Sequence, residues 1–287
     1  MTEVDLHRRR LVLALAFTPA FALAQSKGAG EDFKPKVGQA GKDVIWVPTP
    51  DRSVERMLQM AQVGPNDFVV DLGSGDGRTV IAAAKKFRAR SLGIEFNPDM
   101  VALSRRNAEK EDVADIAKFI EGDIFAIDFA NATVVTMYLL DDLNLRLRPR
   151  LLEMKPGTRI ASHEFDMEDW RPDDRSGIDD HTTYFWVVPA KVGGDWKLGY
   201  DIGAAEEAVL KVSQKFQKVE GTLVGGSSQL GLRDMSLRGD LIKFSLVDYR
   251  GVLREFTGRV RGGVISGSVT TGGKPAGRFR ATRVSGG

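Results

Sequence analysis

The 287-residue sequence contains no cysteine, so disulfides, thiolate metal ligands and cysteine nucleophiles are all excluded. Histidine is scarce: His7, His163 and His181 are the full set of three, which argues against a multi-histidine metal centre. Charge of one sign is also missing. The 41 lysines and arginines stand against 39 acids, leaving +2, without the basic excess that marks a nucleic-acid footprint or a broadly basic membrane surface. The apolar run at residues 11–24 falls short of the ~20 residues that a membrane-spanning helix needs.

That run belongs to a three-part N-terminal pattern. His7-Arg8-Arg9-Arg10 is a basic opening, the apolar run follows, and Ala22-Leu23-Ala24 supplies small residues ahead of Gln25. Residues 1–24 are therefore predicted to be a signal peptide of the general secretory or twin-arginine type. The expected location is the periplasm, with no stable membrane span after cleavage; the alternatives are an anchoring helix and a cytoplasmic protein. Residues 25–43 are polar and glycine-containing and read as a flexible lead-in.

The chain is organised around Val69-Val70-Asp71-Leu72-Gly73-Ser74-Gly75-Asp76-Gly77. Phe68, Val69 and Val70 lack polar alternation, as in a central parallel strand covered on both faces. Glycines at every second position let the backbone turn tightly and approach a ligand closely. A helix is expected from near Asp76. Ligands in open α/β sheets bind beyond the carboxyl ends of strands, so a small-molecule site is predicted here.

Upstream, Pro48-Thr49-Pro50 precedes a helix that Asp51 or Ser53 can cap. Downstream, strands at 91–95, 117–120, 132–137 and 159–163 alternate with helices starting at Pro98 and Asp141. Pro149 is expected to kink or interrupt the second of these. The alternation implies right-handed crossovers, a parallel sheet and helices on both faces. Tyr184–Val188 and Asp195–Tyr200 read as a closing hairpin at one edge. From about residue 205 the alternation stops. Short apolar-alternating segments and glycine turns predict an all-β antiparallel barrel or sandwich of six to eight strands over 205–287. Arg278, Arg280 and Arg283 form either a basic stripe or a solvated sheet face.

The Gly-x-Gly-x-Gly spacing differs from the Gly-x-Gly-x-x-Gly of dinucleotide enzymes. Residues 71–77 resemble motif I of class I S-adenosylmethionine-dependent methyltransferases, and Glu95 and Asp123 fall where that family has later acidic positions. The resemblance covers 44–200 and implies a Rossmann-like sheet. Val47-Pro48-Thr49-Pro50, Tyr138-Leu139-Leu140, Leu147-Arg148-Pro149 and Ser162-His163-Glu164-Phe165 resemble the lysine-methyltransferase group that includes the ATP-synthase c-subunit enzyme. The resemblance implies S-adenosyl-L-methionine as cofactor, held by Thr49, Asp71, Gly73, Ser74, Gly75, Gly77, Glu95, Asp123 and Ile124. Asp71 would orient its amino end, Glu95 its ribose hydroxyls and Asp123 its adenine amino group. Tyr138 would line the acceptor pocket or simply pack in the core. His163 would accept a proton or serve structure alone. The implied acceptor is a protein lysine. The alternatives are a small-molecule acceptor and an exported nucleoside-binding protein without turnover. No nucleic-acid partner and no metal are expected.

Overall fold

A computed structural model describes residues 33–201, 205–225 and 228–284. The leader expected at residues 1–24 lies outside them, as do residues 25–32 of the lead-in. The body of the chain, Pro35–Gly287, is one compact unit built on two sheets.

The first sheet is the organising one. β1 (Phe68–Leu72) is central and runs parallel to β2 (Arg90–Glu95) and β4 (Val134–Met137). With β3 (Ala117–Glu121), β5 (Arg159–His163), β6 (Asp174–Ile178) and β7 (His181–Val187) the order is β3-β2-β1-β4-β5-β7-β6. Five strands are parallel; β7 runs antiparallel to both β5 and β6. Four helices cover the sheet: α1 (Asp51–Met60), α2 (Arg78–Phe87), α3 (Pro98–Lys110) and α4 (Asp141–Leu152). Val69 packs with Val54, Leu58 and Ala83 of α1 and α2, whereas Val70 and Leu72 pack with Leu143, Leu147 and Leu151 of α4. The continuous apolar run of β1 is thus explained by burial on both faces.

Several local expectations are corrected. Neither Asp51 nor Ser53 caps α1. Pro50 occupies the cap position without a side-chain hydrogen bond, because its fixed φ already sets the helix entry. α2 begins at Arg78 rather than Asp76, since Gly77 sits at φ +85 and holds the chain out of the helix. α3 is capped by Asn97, whose side chain accepts from the Asp99 and Met100 amides. α4 is not interrupted by Pro149 but runs on to Leu152. The proline stands in its last turns, where few backbone bonds are lost and the buried Leu143, Leu147 and Leu151 hold the helix to the sheet.

The expected hairpin between Tyr184 and Tyr200 does not form. β8 (Gly194–Asp201) leaves the first sheet and pairs with β9 (Ala205–Lys215) and β16 (Lys274–Arg283) in the second. That sheet has nine strands: eight fall within 205–287, as expected, and β8 from the preceding segment is the ninth. The remainder are β10 (Lys218–Gly225), β11 (Ser228–Gly231), β12 (Arg233–Arg238), β13 (Leu241–Val247), β14 (Leu253–Arg261) and β15 (Val264–Thr271). Its order is β11-β10-β9-β8-β16-β15-β14-β13-β12, antiparallel throughout. It curls into a near-barrel: the Leu232 amide beside β12 donates to the Gly221 carbonyl of β10 at 3.1 Å. Trp196, Phe244, Phe256 and Phe279 fill the interior. Arg283 does not join a basic stripe. Its guanidinium lies over Trp196 and donates to the Gly193 and Lys191 carbonyls.

The halves touch through the β9–β10 hairpin. Phe216 stacks on Trp170, with ring centroids 5.9 Å apart, and Arg148 lies over its ring. Lys215 pairs with Asp169 at 3.2 Å, and Gln217 donates to the Arg171 carbonyl. The hairpin therefore supports the loop that follows β5.

Candidate active site

The carboxyl ends of β1, β2 and β4 open into a cavity of about 310 Å³. Thr49, Asp71, Gly73, Ser74, Gly75, Glu95, Asp123, Ile124 and Tyr138 all line it, so the sequence-predicted set converges with two exceptions, Gly77 and His163. A Cβ on Gly77 would stand 2.7 Å from Phe119 and 2.9 Å from Ser104. Its glycine is required by close packing under the turn, not by contact with the cavity. His163 is fully buried behind Tyr138, with ring centroids 4.5 Å apart and the planes nearly perpendicular.

Three carboxylates are spread along the cavity. Asp71, at the end of β1, is buried and accepts from Thr136 Oγ1 at 2.6 Å. Burial pushes its carboxyl up to about 7; the Thr136 bond opposes this, and the Glu95 and Asp76 charges add to it. Glu95 accepts from the Gly75 amide through Oε2 and the Asn97 amide through Oε1, both at 2.9 Å. Each oxygen keeps a lone pair for a further donor. Asp123 accepts from the Phe125 amide at 2.9 Å and from Lys42 Nζ at 2.6 Å. The Lys42 contact is the main reason its carboxyl lies below the usual range.

Lys42 belongs to the segment that the sequence presents as a flexible lead-in. Residues 38–46 instead fold into a small strap. Gly38 N donates to Trp46 O at 2.9 Å, Trp46 N to Gln39 O at 2.9 Å, and Gly41 N to Val44 O at 2.8 Å. The strap forms one side of the cavity. Trp46 Nε1 lies 2.7 Å from where a Gly75 Cβ would be, so only glycine lets the indole close on the turn. Arg78 ties the next segment down: it donates to the Thr49 carbonyl at 2.9 Å while its other face pairs with Asp76 at 2.6 Å.

At the opposite end, Tyr138 is half-buried, with its phenol pushed up by burial and by Glu164. Phe165 stacks beside it at 6.1 Å and also lines the cavity, as does the exposed Leu140. Acidic groups gather here: Asp141 is pushed up by burial and by Asp166 and Asp142, which lie within electrostatic reach. Glu164 sits at φ +63 and makes a short 2.5 Å contact with His181 Nδ1. Burial pushes the His163 imidazole down to about 4, so the ring is neutral at ordinary pH and a poor proton acceptor. Trp46, Lys42, Phe165 and Glu164 escape the sequence reading. Ser162-His163-Glu164-Phe165 is the one local signal that points towards two of them.

The family described as the ANTKMT methyltransferase domain matches residues 71–174. A protein-lysine N-methyltransferase from Saccharolobus islandicus is 43% identical over 151 residues, spanning 50% of this chain and 94% of the relative. The chain belongs to the class I S-adenosylmethionine-dependent methyltransferases, in the ANTKMT group. Another relative of this methyltransferase, from Rattus norvegicus, is the lysine N-methyltransferase of the ATP synthase c-subunit; it is 38% identical over 50% of this chain and 67% of its own. Among solved structures, an RNA methyltransferase from Salinibacter ruber in complex with S-adenosyl-L-homocysteine is 48% identical, covers 51% of this chain and 96% of that one, and superposes with a TM-score of 0.50. The cofactor of the methyltransferase is S-adenosyl-L-methionine. The donor set fits it: a glycine turn that admits no Cβ at Gly75, a buried Ser74 hydroxyl without a partner, and carboxylates spaced along one elongated cavity.

Proposed function

We propose that this methyltransferase methylates a lysine side chain of a protein. The observation that carries the reading is the acidic, aromatic rim at the Tyr138 end of the cavity. Glu164 acts electrostatically on Tyr138, and Asp141, which follows Leu140 in the chain, has Asp142 and Asp166 within reach, so negative charge lies behind the cavity-lining Tyr138, Phe165 and Leu140. Such a mouth attracts an alkylammonium group and packs its methylene stem. It repels a phosphate backbone, which favours the activity of the curated lysine-methylating relatives over RNA.

Asp71 and the Gly73–Gly75 turn would hold the methionine portion of the cofactor, Glu95 the ribose hydroxyls, and Asp123 with Ile124 the adenine. Thr49 would border the transferring end. S-adenosyl-L-methionine supplies an electrophilic methyl on a sulfonium that needs no further activation. The chain's own work is to align the amine, exclude water and favour the neutral amine. The acidic rim draws in the cation. Beyond it, the half-buried Phe165 and the buried Leu139 disfavour charge, so the lysine would release its proton to solvent before attack. The buried, low-pKa His163 supports Tyr138 from behind rather than taking that proton.

The test is transfer of radiolabelled methyl groups to protein and to RNA fractions in parallel. Label is expected in protein as methyl-lysine; label confined to RNA would reject the reading. Tyr138→Phe is expected to lower turnover about tenfold while leaving cofactor affinity near the wild-type value, as a group acting at the transition state does. The basic and apolar pattern of residues 1–24 supports export. Fractionation of cells expressing the full chain tests this, with the processed protein expected in the periplasmic fraction.

A further inference from the structure

We propose that His163, Glu164 and His181 form a binding site for a divalent transition metal of the zinc class, at the junction of β5 and β7. Two of the three histidines in the sequence meet here although they stand 18 positions apart. His163 ends β5 and His181 opens β7, and the antiparallel pairing of these strands carries them together. Their rings lie 5.1 Å apart. The nearest ligand atoms of the two histidines and Glu164 all lie within 4.8 Å of one another. Glu164 Oε1 stands 2.5 Å from His181 Nδ1 and 3.9 Å from His163 Nε2. Ligands about 2.0–2.2 Å from a shared zinc ion span distances between these two. Glu164 and His181 are partly exposed, so their side chains have room to adjust.

A second observation points to a ligand. His163 is fully buried, yet neither of its ring nitrogens has a hydrogen-bond partner. Its contact with Tyr138 is a ring packing that satisfies neither nitrogen. Buried polar atoms are rarely left so. Thr183, which faces His163 across the strand pair, has a buried hydroxyl without a partner as well. A ligating histidine donates its other N–H to an acceptor, a bond that the Thr183 hydroxyl does not make here. Glu164 also keeps a left-handed backbone at φ +63, a strained position of the kind that collects at ligand sites. Two imidazoles and one carboxylate are a zinc donor set, with the fourth position left to water on the exposed side. Glu164 is shared with the acceptor rim, so an ion here would offset its negative charge beside Tyr138. A bound ion would fix the loop that carries Phe165 into the cavity.

Chelator-stripped full-length protein titrated with zinc and, separately, with cobalt(II) tests the site. One equivalent of each is expected, with the intense visible bands of four- or five-coordinate cobalt. His181→Ala and Glu164→Gln alter partly exposed side chains and are expected to keep the metal-free melting profile. Each should weaken metal affinity at least about tenfold. Absence of stoichiometric binding, an octahedral cobalt spectrum, or an affinity that both variants leave unchanged overturns the proposal.

Discussion

Among single residues, Asp71 carries the clearest electrostatic consequence. Its carboxyl is raised to about 7 by burial, so the folded protein holds a proton there that the unfolded chain releases near pH 4. The folded state therefore binds more protons across the window from about 4 to about 7, and this group's contribution makes the cofactor-free protein less stable as pH rises through it. Cofactor binding has the opposite dependence. If the carboxylate meets the cofactor's ammonium group, affinity should fall about tenfold per pH unit below 7. Calorimetry from pH 5.5 to 8 checks this, and Asp71→Asn should flatten the profile while weakening binding. Asp71, Gly75 and Glu95 are readable in the sequence because a strand, a tight turn and a strand end fix their places over a few residues. Trp46, Phe165 and Glu164 are not. Trp46 and Phe165 reach the cavity, and Glu164 its neighbour Tyr138, through segments whose course depends on packing with distant parts of the chain.

Among elements, the strap over residues 38–46 is the least legible in the sequence. Its first six residues, with two glycines, Gln39, Lys42 and Asp43, match the composition of a linker. Its order comes from three backbone hydrogen bonds, the Trp46 indole on the Gly75 turn and the Lys42–Asp123 pair. Lys42→Ala should leave thermal stability nearly unchanged, since exposed ion pairs contribute little to folding. It should speed cofactor dissociation about threefold to tenfold, measured by stopped-flow displacement. β6 is hidden for a related reason. Asp174-Arg175-Ser176-Gly177-Ile178 is polar and edge-placed, and an edge strand needs no apolar alternation. The partner of β8 cannot be read from the Gly193-Gly194 turn alone, because strand pairing is set by the whole sheet.

On the scale of the molecule, the alternation of strands and helices identifies the first half, and its loss near residue 205 marks the second, although the second sheet itself starts earlier, at Gly194 of β8. The strands of 205–287 are legible in number, but the recruitment of β8 is not, since antiparallel segments carry weak signals of their partners. The β9–β10 hairpin gives that sheet a place in the function. Phe216, Lys215 and Gln217 hold the loop through Trp170, Asp169 and Arg171, and the same loop brings Phe165 to the acceptor end. Phe216→Ala should destabilise the protein by about 1–3 kcal/mol. It should raise the KM for the methyl acceptor while cofactor affinity stays at its wild-type value, read by steady-state kinetics alongside calorimetry. A change in cofactor affinity of equal size would show that the hairpin supports the whole domain instead.

The strap also has a mechanical consequence. Tension applied to the chain ahead of residue 38 reaches the strap's hydrogen bonds before it reaches β1. Those bonds lie in a short turn and open one after another, whereas β1 is clamped between β2 and β4 and must shear several at once. A tether on the N-terminal side, whether a surface or another molecule, would peel the strap at low force and leave the core folded. The lifetime of the bound cofactor would then depend on load, and the methyltransferase would release it when pulled.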